Sequence, residues 1–135
     1  MIVVDTNIIA YLYLSGDRSQ QAAQLLTAEP KWAAPALWRS EFRNVLSQYL
    51  GRDLLSFEDV LVILEQAEQL LAGNEYQVSS TQVMELVRSS GCSAYDCEFV
   101  ALAQQLQVPL VTADKKLLQN FAETASSLDD YLASC

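Results

Sequence analysis

Short apolar runs that end on turn residues alternate along this chain with stretches whose apolar residues recur every three or four positions. The first run, Met1 to Val4, predicts a buried strand. Ile8, Ile9, Leu12 and Leu14 predict a short helix leading into a loop at Ser15-Gly16-Asp17. Ser19 is placed to cap a helix to about Ala28, with Ala22, Leu25 and Leu26 inward, and Glu29-Pro30 stops it. Trp32-Ala33-Ala34 predicts a second strand, with Pro35 in the first turn of the helix that follows. That helix, over 36–50, carries Trp38, Phe42, Val45, Leu46 and Tyr49 as its apolar stripe, and Gly51 marks its end.

Serines at 56, 79 and 93, each followed three positions on by Asp59, Gln82 or Asp96, have the form of capping boxes. The first opens a helix to about Leu71 or Ala72, with Val60, Ile63, Leu64, Ala67 and Leu71 inward and Gly73 after it. With helix 36–50 it predicts a helical hairpin. Tyr76-Gln77-Val78 is a brief extended stretch. The second box opens a helix to about Ser89, and the third a helix bearing Phe99, Val100, Ala103 and Leu106. Val108 to Thr112 predicts another strand, with Pro109 at its beginning. Leu117, Leu118 and Phe121 suggest a short helix, and Ser127-Leu128-Asp129-Asp130 starts a last one after a short edge strand. Strands alternating with helices, without repeats or low-complexity linkers, predict one α/β domain over 1–135.

Composition narrows the chemistry. The chain is 51% hydrophobic with few Gly and Pro, which suits a globular domain. No apolar run approaches the roughly 20 residues of a membrane helix. The N-terminus lacks the basic region and cleavage site of a signal peptide, so the expectation is a cytoplasmic protein with no membrane partner. Cys92, Cys97 and Cys135 form no C-x-x-C, and there is no histidine, which argues against a structural zinc site and removes Ser-His-Asp and Cys-His catalysis. A net charge of −9 argues against broad nucleic-acid binding and favours divalent cations or a basic partner segment.

Four acids stand in telling places. Asp5 closes the first strand and Asp114 follows the run through Val111-Thr112-Ala113, while Glu41 and Asp96 sit near helix starts. Each also has a purely structural role open to it: Asp5 and Asp114 as N-caps, Asp96 in its capping box, Glu41 in a pair with Arg39 or Arg43. In a parallel α/β fold, strand ends and nearby helix starts can meet at one edge. Carboxylates gathered there raise one another's pKa and call for a cation, which all-oxygen ligation makes Mg²⁺ or Mn²⁺.

Val3-Val4-Asp5-Thr6-Asn7, Ser40-Glu41-Phe42, Tyr95-Asp96 and Leu110-Val111-Thr112-Ala113-Asp114-Lys115-Lys116-Leu117 together resemble the PIN-domain ribonucleases, most closely the VapC-like toxins of toxin–antitoxin pairs. The resemblance covers essentially the whole chain. It implies a three-layer α/β/α fold with a central, mostly parallel sheet, and metal-dependent hydrolysis of RNA phosphodiester bonds. It implies that Asp5 and Asp96 are central Mg²⁺ ligands and that Glu41 and Asp114 complete the site. Thr6 and Thr112 match small hydroxyl positions that orient acids, Thr6 being expected to hold Asp5, and Asn7 matches a polar supporting position. The implied partners are RNA, a small antitoxin protein and a second copy in a homodimer, for which Trp32, Trp38 or Tyr49 are candidates. Arg18, Arg39, Arg43, Lys115 and Lys116 are candidates for RNA phosphates. The sequence departs from the family pattern at Cys97-Glu98; Glu98, two positions along a helix from Asp96, should point elsewhere.

Three other functions compete: a PIN-fold binding module with an idle metal site, a PIN nuclease of RNA processing outside a toxin–antitoxin pair, and a phosphoryl-accepting α/β domain using Asp5. The last wants a second acid beside Asp5, which Asp5-Thr6-Asn7 lacks.

Overall fold

The strand that opens the chain, β1 (Ile2–Val4), lies in the middle of a five-stranded sheet. A computed structural model describes residues 1–135. The elements that follow β1 are α1 (Thr6–Tyr13), α2 (Ser19–Ala28), β2 (Trp32–Pro35), α3 (Trp38–Gly51) and α4 (Phe57–Leu70). Then come β3 (Glu75–Tyr76), α5 (Ser80–Ser90), α6 (Ala94–Leu106), β4 (Leu110–Val111), α7 (Lys115–Asn120), β5 (Ala125–Ser126) and α8 (Leu128–Ala133). The strand order is β3-β2-β1-β4-β5 and every pairing is parallel, so the sheet is wholly rather than mostly parallel.

This order reverses direction between β1 and β4. Successive strands step from β1 out to β2 and β3, and the chain then crosses to β4 on the other side. Such a switch point leaves a crevice beyond the carboxyl ends of the two strands. Helix α6 packs across β1, β2 and β4, with α5 against it, while α1 packs on α2, α3 and α4. The result is the three-layer α/β/α arrangement. Thirty buried residues form one core cluster, from Ile2 to Leu128. Helix α6 is enclosed on several sides: Phe99 to Ala103 are all buried, a wider face than the expected stripe of Phe99, Val100, Ala103 and Leu106.

Local signals act largely as expected. Ser56, Ser79 and Ser93 cap α4, α5 and α6 by accepting the amides of Asp59, Gln82 and Asp96 at 3.1, 3.3 and 3.0 Å. Ser127 does the same for α8. Gly91 ends α5 at φ +73°, a left-handed turn that glycine adopts without strain.

Three details differ. Ser19 is the first helical residue of α2 and Arg18 holds the cap position without a side-chain bond. The third strand is Glu75–Tyr76, slightly earlier than Tyr76-Gln77-Val78. Pro35 ends β2 instead of starting α3. Ala34 and Ala36 donate to the Asn74 and Tyr76 carbonyls on the β3 side. The donor that Pro35 lacks therefore falls on the β1 side, past the last β1–β2 pair at Val3 and Ala33, where no ladder bond is lost.

Candidate active site

The polar and charged residues buried in this protein are Asp5, Thr6 and Thr112, and all three lie at the β1–β4 crevice. Burying them is tolerable because each is hydrogen-bonded, and no buried side-chain nitrogen or oxygen lacks a partner. Asp5 follows β1 and caps α1: its Oδ1 accepts the Ile8 amide at 3.1 Å. Its Oδ2 accepts the Thr112 hydroxyl and the Ala113 amide, the latter at 3.1 Å. One carboxylate thus ties the end of β1 to the loop after β4.

The other acids arrive from separate elements. Glu41 is in the first turn of α3 and accepts the Thr6 hydroxyl at 2.7 Å. Thr6 therefore holds Glu41, not Asp5; Thr112 holds Asp5. Asp96 sits in the first turn of α6. Asp114 caps α7, with Oδ1 accepting the Lys116 and Leu117 amides at 2.8 and 3.1 Å. Its own amide donates to Thr112 Oγ1 at 3.0 Å, so the Thr112 hydroxyl bridges Asp5 and the Asp114 backbone. The capping and crevice roles of Asp5 and Asp114 coexist in the same side chains.

Asp5, Glu41, Asp96 and Asp114 line one cleft of about 230 Å³, together with Thr6, Asn7, Asn44, Val45, Phe99 and Leu117. No lysine or arginine lines it. The carboxyls of Asp5, Glu41 and Asp96 accordingly sit above their usual range. Burial raises Asp5 most, opposed by its bonds from Thr112, Ile8 and Ala113 and reinforced by Asp114. Burial also leads for Glu41, with the Thr6 bond pulling down and Asp96, Asp5 and Glu98 pushing up. Asp96 is raised by burial and then by the Asp114 charge. These are the two causes that favour the neutral acid, desolvation and like-charge crowding.

A divalent cation would relieve both. The donors are all oxygen, which suits Mg²⁺ or Mn²⁺. As placed, however, no three acidic or cysteine side chains are grouped tightly enough to hold an ion. The cleft has the right donor chemistry, and closure of the acids by side-chain rotation is what binding would require. Asp5 is fixed by three donors, whereas the Asp96 carboxyl has Ser93 and the Asp114 carboxyl beside it.

Several sequence expectations are redirected by the packing. Glu98 does not line the cleft, although it is near enough to raise Glu41. Arg39 does not face the acids: Glu75 holds it at 2.6 and 2.9 Å, and Glu68 at 3.1 Å. Lys116 gives its ammonium to the Gly91 carbonyl at 2.8 Å. Trp32 and Trp38 are core residues, fully buried, and offer no surface to a second copy. Buried Cys97, its thiol pushed up by burial, packs under α6 against Cys92 and Ser90. Asn44, exposed on the cleft wall, was not singled out by the sequence pattern; its spacing of three from Glu41 puts both on one face of α3.

Comparison with known proteins identifies the family. The PIN domain family model matches residues 2–124. Ribonuclease VapC9 of Mycobacterium tuberculosis is 34% identical over 117 residues, covering 87% of this chain and 88% of that protein. Ribonuclease VapC3 of Pyrobaculum aerophilum is 28% identical over 123 residues, covering 89% and 94%. Among solved structures, a chain of a toxin–antitoxin complex from Klebsiella pneumoniae superposes with a TM-score of 0.72 at 19% identity, covering 95% of this chain and 98% of that one. The five-stranded parallel sheet, its helical layers and these relatives place the chain in the PIN-domain family, among its VapC-type members.

Proposed function

We propose that the cleft is the active site of a metal-dependent endoribonuclease, a single-domain hydrolase acting as the toxin of a toxin–antitoxin pair. The observation that carries the proposal is the meeting of four carboxylates, from four different elements, in one cleft without a basic side chain. The raised pKa values of Asp5, Glu41 and Asp96 mark a site that is incomplete without a cation. VapC-type relatives named as ribonucleases support the substrate class.

Asp5 and Asp96 would be the central ligands of Mg²⁺, or of Mn²⁺, with Glu41 and Asp114 completing the set directly or through water. When bound, the cation acidifies water for attack and neutralises charge developing on the scissile phosphate. The protein's own part is positional. Thr112 and the Ala113 amide fix Asp5, Thr6 fixes Glu41, and the α7 N-terminus fixes Asp114. Asn7 and Asn44 bring neutral amides to a wall whose charged groups are all acids, suited to donate to phosphate or ribose oxygens. Arg43 and Lys115, which make no ion pair, are left to meet the RNA backbone.

The same acidic cleft would accept an Arg or Lys from an inhibitory partner, and the solved toxin–antitoxin neighbour supports a small antitoxin as that partner. No helix is long and apolar enough to cross a membrane, and we place the activity in the cytoplasm with its RNA. A homodimer, if formed, uses surfaces other than Trp32 and Trp38.

The test is RNA cleavage with added Mg²⁺ by the wild type and by Asp5→Asn and Asp96→Asn. Both variants should lose cleavage while circular dichroism shows an unchanged fold. Unchanged rates in both would overturn the assignment. One observation favours a second function, a PIN-fold binding module with an idle site: the spacing of the acids, which as placed holds no ion. Titration with Mn²⁺ separates the two, since an idle site leaves the cation unbound.

A further inference from the structure

Asn7 and Val45 also line a second cleft of about 410 Å³. Tyr11 from α1 and Tyr49 from α3 line it, together with Gly16 and Arg18 from the loop after α1. Both tyrosines are half-buried, and neither ring packs on another aromatic ring. The rim is open, with no atom within 4 Å of where a Cβ on Gly16 would stand.

Granted that the four acids cut RNA, we propose that this second cleft is a nucleobase subsite. It takes the base adjoining the scissile phosphodiester of single-stranded RNA, stacked on Tyr11 or Tyr49, with Arg18 on the neighbouring phosphate.

Three observations carry this. The first is adjacency: a strand whose phosphate lies among the acids has its next unit at Asn7 and Val45, which line both clefts. The second is charge. With 17 acids against 8 bases, and Arg39 held by Glu75 and Glu68, ionic attraction supplies little affinity for RNA. Stacking on aromatic rings supplies it without charge and tolerates any base. Arg18 is the only cation lining either cleft. Its pair with Asp129 is exposed and 3.8 Å long, weak enough to yield to a phosphate.

The third observation is contrast with a neighbour. A cleft of about 390 Å³ beyond Tyr49 is lined by Tyr13, Leu14, Ser15, Leu54 and Leu55, almost wholly apolar, as a docked helix wants. The Tyr11–Tyr49 cleft instead mixes its rings with Asn7, Ser15, Asp17 and Ser19. Flat faces with polar edges match a base better than an aliphatic helix face.

The experiment uses the full chain carrying Asp5→Asn, with Mg²⁺, and short single-stranded RNAs bearing 4-thiouridine at successive positions. Photocrosslinking followed by peptide mass spectrometry should recover adducts at Tyr11 or Tyr49 from one position of the RNA. In the same background, Tyr11→Ala with Tyr49→Ala should weaken RNA binding at least about 10-fold by fluorescence anisotropy, and Tyr49→Phe should keep it. Mn²⁺ binding to the wild-type acids should be unaffected when both tyrosines are replaced. In otherwise wild-type protein, an abasic residue at the crosslinked position should raise KM and leave kcat nearly unchanged. Crosslinks confined to other surfaces, with RNA affinity unchanged in the double variant, would overturn the subsite and leave the cleft to a protein partner. A wild type that binds this subsite but cuts no RNA would overturn the nuclease proposal alone.

Discussion

Two acidic regions of this molecule, both touching α3, treat their carboxylates in opposite ways. At the start of β3, Glu75 receives two bonds from Arg39 and one from the Trp38 indole at 2.7 Å, and its carboxyl is held below the usual range. At the crevice between β1 and β4, Asp5, Glu41 and Asp96 receive hydroxyls and amides but no cation, and theirs are held above it. The first region is complete: charge is matched inside the chain. The second is left unmatched, and all four of its acids are at least partly withdrawn from water. An unmatched cluster that costs stability and persists is best explained by a ligand that supplies the missing charge.

Chelation is the sharpest way to break this comparison. EDTA should abolish RNA cleavage and leave the Arg39–Glu75 corner and the fold intact, as read by activity and circular dichroism. Activity that survives full chelation would remove the reason for the unmatched acids. Next in size is Thr112→Val, which keeps the shape and takes the hydroxyl from Asp5. Loss of such an outer-shell partner should lower kcat roughly 10- to 100-fold and weaken Mn²⁺ binding by a similar factor. Isothermal titration alongside kinetics would check both.

The two regions should also titrate with opposite signs. Asp5, Glu41 and Asp96 keep protons in the folded chain that the unfolded chain has released, so their stabilising effect is fully present below ordinary carboxylate pKa values. It is lost as pH rises through their raised values. Glu75, held low, stabilises above its ordinary pKa and loses that effect as pH falls through its lowered value. Thermal melts without cation should therefore show Asp5→Ala, Glu41→Ala and Asp96→Ala becoming relatively more favourable as pH climbs from 5 toward 8. Mg²⁺ should raise the wild-type Tm more at pH 8 than at pH 5, by about 2 to 3 kcal/mol of stability at a hundredfold excess over Kd. A cation effect independent of pH would contradict the linkage. The smallest effect belongs to Arg39→Ala: about 1 kcal/mol of stability for a partly exposed pair, with cleavage unchanged.

Legibility in the sequence divided along the same line. Asp5 and Asp114 could be read because apolar strand runs end on them or just before them, and Asp96 because a serine three residues earlier announces its helix. Glu41 stands out by its place near a helix start, yet the same place suits a surface acid; resemblance to the PIN family is what sets it with the other three. What brings it to the cleft is Thr6, 35 residues away. The capture of Arg39 by Glu75, 36 residues on, is equally invisible in the chain. So is the place of Pro35, which depends on which neighbour each β2 residue faces. Local chemistry specified elements and caps, while the partners of individual side chains waited on the crossing of strands. Trp32 and Trp38 show the same limit, since apolar periodicity does not tell a core position from a surface that a second copy would cover.

The two outermost strands of the sheet, β3 and β5, are each two residues long. Such stubs offer almost no template for an incoming strand, so the protein is guarded against edge-to-edge aggregation. It also follows that any protein partner docks on helices and clefts rather than by extending the sheet. Capture and release by such a partner leave the β1–β4 pairing untouched. The crevice that presents Asp5, Glu41, Asp96 and Asp114 then keeps its frame whatever docks on the helices.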